Sequence, residues 1–166
     1  NALRSKYALI PIIYYVYKNN LDINNLAKYK EDKNKIVIWL KMALLKGMFG
    51  GQPDSILPKL RELINLSEGC FPTEQIVQAF KNTPKDITID KDFIIEKIEN
   101  THYGSSEAYL ILSLITEQDP QFEYHVDHMH PKKLFISSKL NEFDFLQNNQ
   151  DLYDFYVDKG NWNTLG

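Results

Sequence analysis

The stretch "YHVDHMHPKK", Tyr124 to Lys133, gathers three of the chain's four histidines, His125, His128 and His130, around one carboxylate, Asp127. Pro131, Lys132 and Lys133 follow at once. Phosphodiester hydrolysis needs residues of these types. A water must lose a proton, and an imidazole that titrates near neutrality is a suitable base. Charge building on the phosphate and the leaving oxygen must be neutralised, which a divalent ion held by a carboxylate can do. Asp127 and His128 supply one group of each kind, side by side, and Lys132 and Lys133 can meet phosphates as point charges.

Neighbours on a straight strand point to opposite faces. Asp127 and His128 therefore share a site only if the strand ends there and the chain bends, and Pro131 fits such a bend. "FEYHVDH" alternates in part with β-type residues, so a short strand is expected, ended by the turn. His125, two residues before Asp127, falls on the same strand face and can support it. Two other readings of the cluster stand beside this one. Zinc held by His125, His128 and His130 requires three or four ligands in a tetrahedral array; alternation separates His125 from the other two, and no cysteine helps. An Asp-His pair is also often no more than a hydrogen-bonded surface pair.

The elements that must position this stretch read as helices over residues 3–118. "LRSKYALIPIIYYVYKNN" is apolar on nearly every side, as in a buried helix, with Pro11 at a helix start or a kink. "KNKIVIWLKMALLKG" sets Ile36, Ile38, Trp39, Met42 and Leu45 at helical spacing and ends at Gly47. Gly50-Gly51 is a turn; without a following Gly-Lys-Ser/Thr it is no phosphate loop. Asp54 is placed as the N-cap of a helix running to about Leu66. "FPTEQIVQAFKN", "IDKDFIIEKIENTHYG" and "SSEAYLILSLITEQ" are three further helices, the last capped by Ser105 or Ser106 and burying Leu110, Leu112, Leu114 and Ile115. His102, near a helix end, is assigned no catalytic role. Past Pro120 the character changes, and "LFISSKL" and "DLYDFYVDKG" read as short helices or loops. Five acids, Glu142, Asp144, Asp151, Asp154 and Asp158, follow Lys139 with no Lys or Arg among them, which reads as a solvated face.

Composition bounds the rest. The 166 residues are 43% hydrophobic, 13% aromatic and 25% charged, as in a globular protein with a sizeable core. A net charge of -3 argues against a generally basic coat for nucleic acid and leaves room for a local basic patch. The single cysteine, Cys70, excludes an internal disulfide and a cysteine-based zinc site, and a cytoplasmic location is expected. The longest apolar run, "YALIPIIYYVY", is too short to span a membrane. The chain opens at Asn1 and stops at "NWNTLG", so it is expected to be a segment of a longer protein.

"HVDHMHP" resembles the V-D-H-I-x-P signature of His-Asn-His endonucleases, the ββα-metal nucleases. In that family the Asp holds the metal ion and the next His is the general base. By resemblance those roles fall on Asp127 (metal) and His128 (catalytic); the signature does not fix His125 or His130, and His125, Lys132 and Lys133 are supporting residues on the reading of the residues above. "IPIIYYVYKNN", "WLKMALLKGMFGGQPDSIL" and "NWNTLG" together resemble the C-terminal half of GmrSD-type, modification-dependent restriction endonucleases. The resemblance implies a mainly α fold: a helical, bundle-like region over residues 3–118, then residues 119–166 as the N-terminal part of an HNH-like module with a short strand or hairpin. It implies Mg²⁺ or another divalent ion as cofactor. It also implies DNA as substrate, an N-terminal ParB-like nucleotide-hydrolysing domain as partner, no membrane, and a role in defence. The family pattern continues past N-x-x-G with Asn-Leu and then an asparagine and a lysine on a helix, and that asparagine completes the metal site. Gly166 precedes them, so the metal site within this chain is expected to be incomplete and the segment by itself inactive. The alternative is a non-catalytic helical interaction or scaffold module with a degenerate nuclease remnant.

Overall fold

The computed structural model describes residues 5–102, 104–116 and 136–157. They are mainly helical: nine α-helices and no strand occur among the described residues. The short strand expected over "FEYHVDH" lies outside them. Packing divides the chain into two compact units, Asn1–Asp90 and Lys91–Gly166. The division falls inside the stretch 3–118 that the sequence groups as one helical region.

The first unit is built on four helices: α1 (Leu9–Lys18), α2 (Lys30–Leu45), α3 (Leu57–Leu66) and α4 (Thr73–Phe80). On α2 the buried Trp39 and Ala43 fall in line with Ile36, Leu40 and Leu44, which pack against the same core. That spacing puts all five on one helix face. Ile38, expected in this stripe, falls on the opposite side of the helix and is 49% exposed. Gly47 ends α2 as expected. Its φ of +64° suits a residue without Cβ. Its N–H donates to the Leu44 carbonyl, and the Met48 N–H donates to that of Ala43. This is the paired closure of a Schellman motif, and Met48 turns back into the core. Trp39, Phe71, Phe49 and Tyr15 form the aromatic centre, with Tyr15 edge-on to Phe71 at 5.1 Å and Trp39 tilted against Phe71 at 5.2 Å. Leu60, Ile64 and Ile76 complete it without exposure, each such side chain contributing about 1.5–3 kcal/mol by leaving water.

Two expectations for this unit change. The α1 helix is not buried all round. Ala8, Pro11 and Tyr15 face the core, whereas Ile10, Ile13 and Tyr17 are 44%, 63% and 79% exposed. Pro11 stands in the first turn, where a missing N–H breaks no bond. Asp54 caps no helix. It lies in a 3₁₀ turn, Pro53–Ser55, and α3 starts after it with Pro58 in its first turn, where fixed φ and absent N–H serve in place of a side-chain cap.

The second unit contains α5 (Lys91–Asn100), α6 (Ser106–Ile115), α7 (Ser137–Leu140), α8 (Asp144–Gln147) and α9 (Gln150–Val157). Ser105 is the N-cap of α6, its Oγ accepting from the Ala108 N–H at 3.0 Å. Lys97 joins α5 to α6 through Glu107 at 2.8 Å. Ala108, Leu110 and Ile111 are buried, while Leu114 is partly exposed. Leu140 and Leu146 anchor the short C-terminal helices. Glu142, Asp144, Asp151 and Asp154 all face solvent, as the charge run suggested.

Candidate functional site

The residues that carry the chemistry in the sequence, His125, Asp127, His128, His130, Pro131, Lys132 and Lys133, lie outside the described residues. Among the described residues there is no group of three or more His, Cys, Asp or Glu side chains able to hold a metal ion. His102 is exposed, two residues beyond the end of α5, and its carbonyl accepts from the Ser105 N–H at 3.2 Å.

Three polar or concave features of the first unit merit a chemical reading, and the two polar ones are not legible from local sequence. The first is a bridge. The Tyr15 hydroxyl, on a residue 1% exposed, lies 2.5 Å from Asp32 Oδ1 and 2.9 Å from the Gly69 carbonyl. The same Oδ1 accepts the Phe71 N–H at 2.8 Å. One carboxylate on α2 thereby ties α1 to the segment leading into α4. Burial first, and then the Asp32 carboxylate, push the phenol well above its ordinary range, so it remains a donor and is no proton acceptor.

The second is the neighbourhood of Cys70. Glu31 pairs with Lys35 at 3.3 Å, and its carboxylate lies in the electrostatic neighbourhood of the Cys70 thiol. That carboxylate holds the proton on sulfur and pushes the thiol up, the opposite of what an activated nucleophile needs. The thiol in turn, followed by Lys35, holds Glu31 below the usual carboxylate range.

The third is a cleft of about 320 Å³ between α1 and α3. Ile10, Pro11 and Tyr14 form one wall and Leu57 and Pro58 the other, with Asp54 and Arg61 also lining it. The two helices run side by side in the same direction. Ile10 and Pro11 face the start of α3, whereas the Tyr14 hydroxyl donates to Asn65 Oδ1 at 2.7 Å and Lys18 Nζ reaches the Ile64 carbonyl at 2.6 Å. The cleft holds no nucleophile and no acid–base pair; its walls are those of a binding surface. The signal that could have found it is the run Ile10, Ile13, Tyr14 and Tyr17, a second apolar face on a helix whose first face is already in the core.

Compared with known protein families the chain matches none, and no curated protein matches it either.

Proposed function

We propose that the chain is part of a metal-dependent DNA endonuclease, with the nuclease centre begun by "HVDHMHPKK". The observation that carries the reading is the adjacent Asp127-His128 doublet followed at three residues by Pro131 and then by two lysines. The mainly helical first part of the chain is in keeping with the helical region of GmrSD-type enzymes that precedes their nuclease module. No helix among the described residues is long and apolar enough to cross a membrane, which is compatible with a cytoplasmic defence protein acting with a ParB-like domain.

The donor set fits a hard divalent ion such as Mg²⁺ in part. Asp127 gives one carboxylate, and an oxygen ligand from further along the polypeptide is needed beside it. Bound there, the ion supplies charge neutralisation at the phosphate. His128 takes the proton of the attacking water onto an imidazole nitrogen. The water oxygen bonds to phosphorus, the bond to the leaving oxygen breaks, and that oxygen is protonated from solvent. Lys132 and Lys133 hold the backbone phosphates, and His125 supports Asp127.

The test is nicking of supercoiled plasmid by the full-length protein with and without Mg²⁺ or Mn²⁺. His128→Ala should lower cleavage by about 10²-fold or more, the usual contribution of a general base, with helical content unchanged. Equal cleavage by His128→Ala, or cleavage that ignores the metal, overturns the reading. A second reading, a non-catalytic interaction module, is favoured by one observation: the exposed apolar face of α1 beside the cleft. It predicts no cleavage under any condition.

A further inference from the structure

We infer that the outer side of α2 holds the phosphate backbone of duplex DNA, which rests on the nuclease reading and extends it to residues far from Asp127 and His128 in the chain. The inner side of α2 is taken by the core, through Ile36, Trp39, Leu40, Ala43 and Leu44. On the other side Lys30, Asn34, Ile38 and Lys41 follow at spacings of four, four and three, which makes one stripe about 16 Å long. Lys33 flanks this stripe, and Lys28 stands just before the helix. Lys28, Lys30, Lys33 and Asn34 are all exposed. Lys41, at the far end, is half-buried and already has a partner, so the unmatched charge lies toward the start of the stripe.

The charge here is one-sided because the acids nearby in the chain are engaged. Asp22 to Leu45 contains three acids and five lysines. Asp22 accepts the Asn24 N–H at 2.9 Å, Glu31 pairs with Lys35 at 3.3 Å, and Asp32 Oδ1 is turned inward onto Tyr15 and Phe71. Among the described residues Lys28, Lys30 and Lys33 form no ion pair. Three unmatched cations thus stand together on a chain whose net charge is -3. Duplex DNA carries a phosphate about every 3.4 Å along each strand, so a stripe of this length spans several. The lysines meet phosphates as point charges and the Asn34 amide can donate to a phosphate oxygen, which fixes position without reading bases. An anionic membrane fits less well. It needs bulky apolar groups on the same side to enter it, and that side of α2 offers only the half-exposed Ile38 with Val37 at its flank.

Fluorescence anisotropy of a labelled duplex of about 20 base pairs, titrated with the chain in EDTA at salt from about 50 to about 200 mM, reads backbone binding apart from cleavage. Lys28→Ala, Lys30→Ala and Lys33→Ala should each weaken binding about tenfold at the lowest salt and reduce the slope of log K against log salt by about 0.9. The triple variant should reduce it by about 2.7, with helical content unchanged. The same losses should appear when Lys132 and Lys133 are already alanine. Lys59→Ala removes an exposed lysine that is paired with Glu62 and should change neither quantity. No binding at about 50 mM salt, a slope unchanged in the triple variant, or equal weakening by Lys59→Ala overturns the proposal. So does binding to phosphatidylserine vesicles that depends on these lysines when duplex binding does not. Cleavage that survives while the triple variant binds DNA like the wild type removes this proposal alone. Lysine-dependent binding with no cleavage under any condition supports it and removes the nuclease reading alone.

Discussion

Replacing Asp32 with Ala should cost the first unit about 3 kcal/mol, more than any other single polar change in it. Two donors end on its Oδ1, the Tyr15 hydroxyl at 2.5 Å and the Phe71 N–H at 2.8 Å. A hydrogen bond to a charged group contributes about 1.5–3 kcal/mol, and an orphaned buried donor costs about 1–3 kcal/mol. After Asp32→Ala the hydroxyl still has the Gly69 carbonyl at 2.9 Å, whereas the Phe71 N–H has no other acceptor in these contacts. The loss is therefore one charged bond plus one orphaned amide, not two of each. Tyr15→Phe removes the hydroxyl but leaves Asp32 on Phe71, so about 1–1.5 kcal/mol is expected. The double variant should fall short of the sum of the singles by about 1 kcal/mol or more, since each single change already breaks the shared bond. Urea unfolding followed by fluorescence reads this directly when Trp162 is replaced by Phe, leaving the fully buried Trp39 as reporter. The reasoning fails if the two changes add to within about 0.5 kcal/mol, or if Tyr15→Phe costs more than Asp32→Ala.

Lys18→Met keeps the aliphatic stem and removes the ammonium that bonds the Ile64, Asn65 and Ser67 carbonyls at 2.6, 3.0 and 3.3 Å. These are terminal carbonyls of α3, so a loss of about 1–2 kcal/mol is expected, with faster amide exchange in the last turn of α3. Asp86 is held down at about 2 by the Thr88 hydroxyl beside it and by the Thr88 and Asn82 N–H groups at 2.7 and 2.8 Å. The Thr88 hydroxyl makes no well-formed hydrogen bond, so the two amides carry most of the effect. A folded value below the unfolded one of about 3.9 means stability that is fully present above pH 4 and lost as pH falls through about 2. Near the surface it amounts to about 1 kcal/mol after screening. Asp86→Asn should therefore destabilise at pH 7 and flatten the stability profile between pH 4 and pH 2, as measured by urea titrations across that range.

Much of the helical framework was legible because it rests on local rules. The Trp39 stripe, the Gly47 stop, the Ser105 cap and the bounds of α4 and α5 each follow from spacing or from one residue's backbone preference. The errors have a common physical source. Periodicity shows that Ile10, Ile13 and Tyr17 are apolar but not whether a neighbour covers them. Asp54 has the chemistry of a cap, yet Pro53 and Pro58 settle the backbone there first. The Tyr15–Asp32–Phe71 bridge joins residues 17 and 39 positions apart, which no window of sequence connects. The Asp127-His128 doublet was readable for the opposite reason, because both groups are adjacent in the chain.

Most of the perturbed groups among the described residues move away from neutrality. A catalytic acid, base or nucleophile is tuned toward neutrality. In the described residues Cys70 and Tyr15 are pushed up, away from a usable thiolate or phenolate, and Glu31 and Asp86 are pushed down into permanent anions. Lys35 is raised by Glu31 and stays a cation. Lys41 moves the other way, lowered by burial, but it is already engaged with a partner. These shifts are what a scaffold makes when its polar groups hold helices together. The nuclease proposal rests instead on the Asp127-His128 doublet with Pro131 and the two lysines that follow it. Loss of cleavage on changing His128, set against unchanged cleavage on changing Cys70 to Ser, would separate the two roles within one protein.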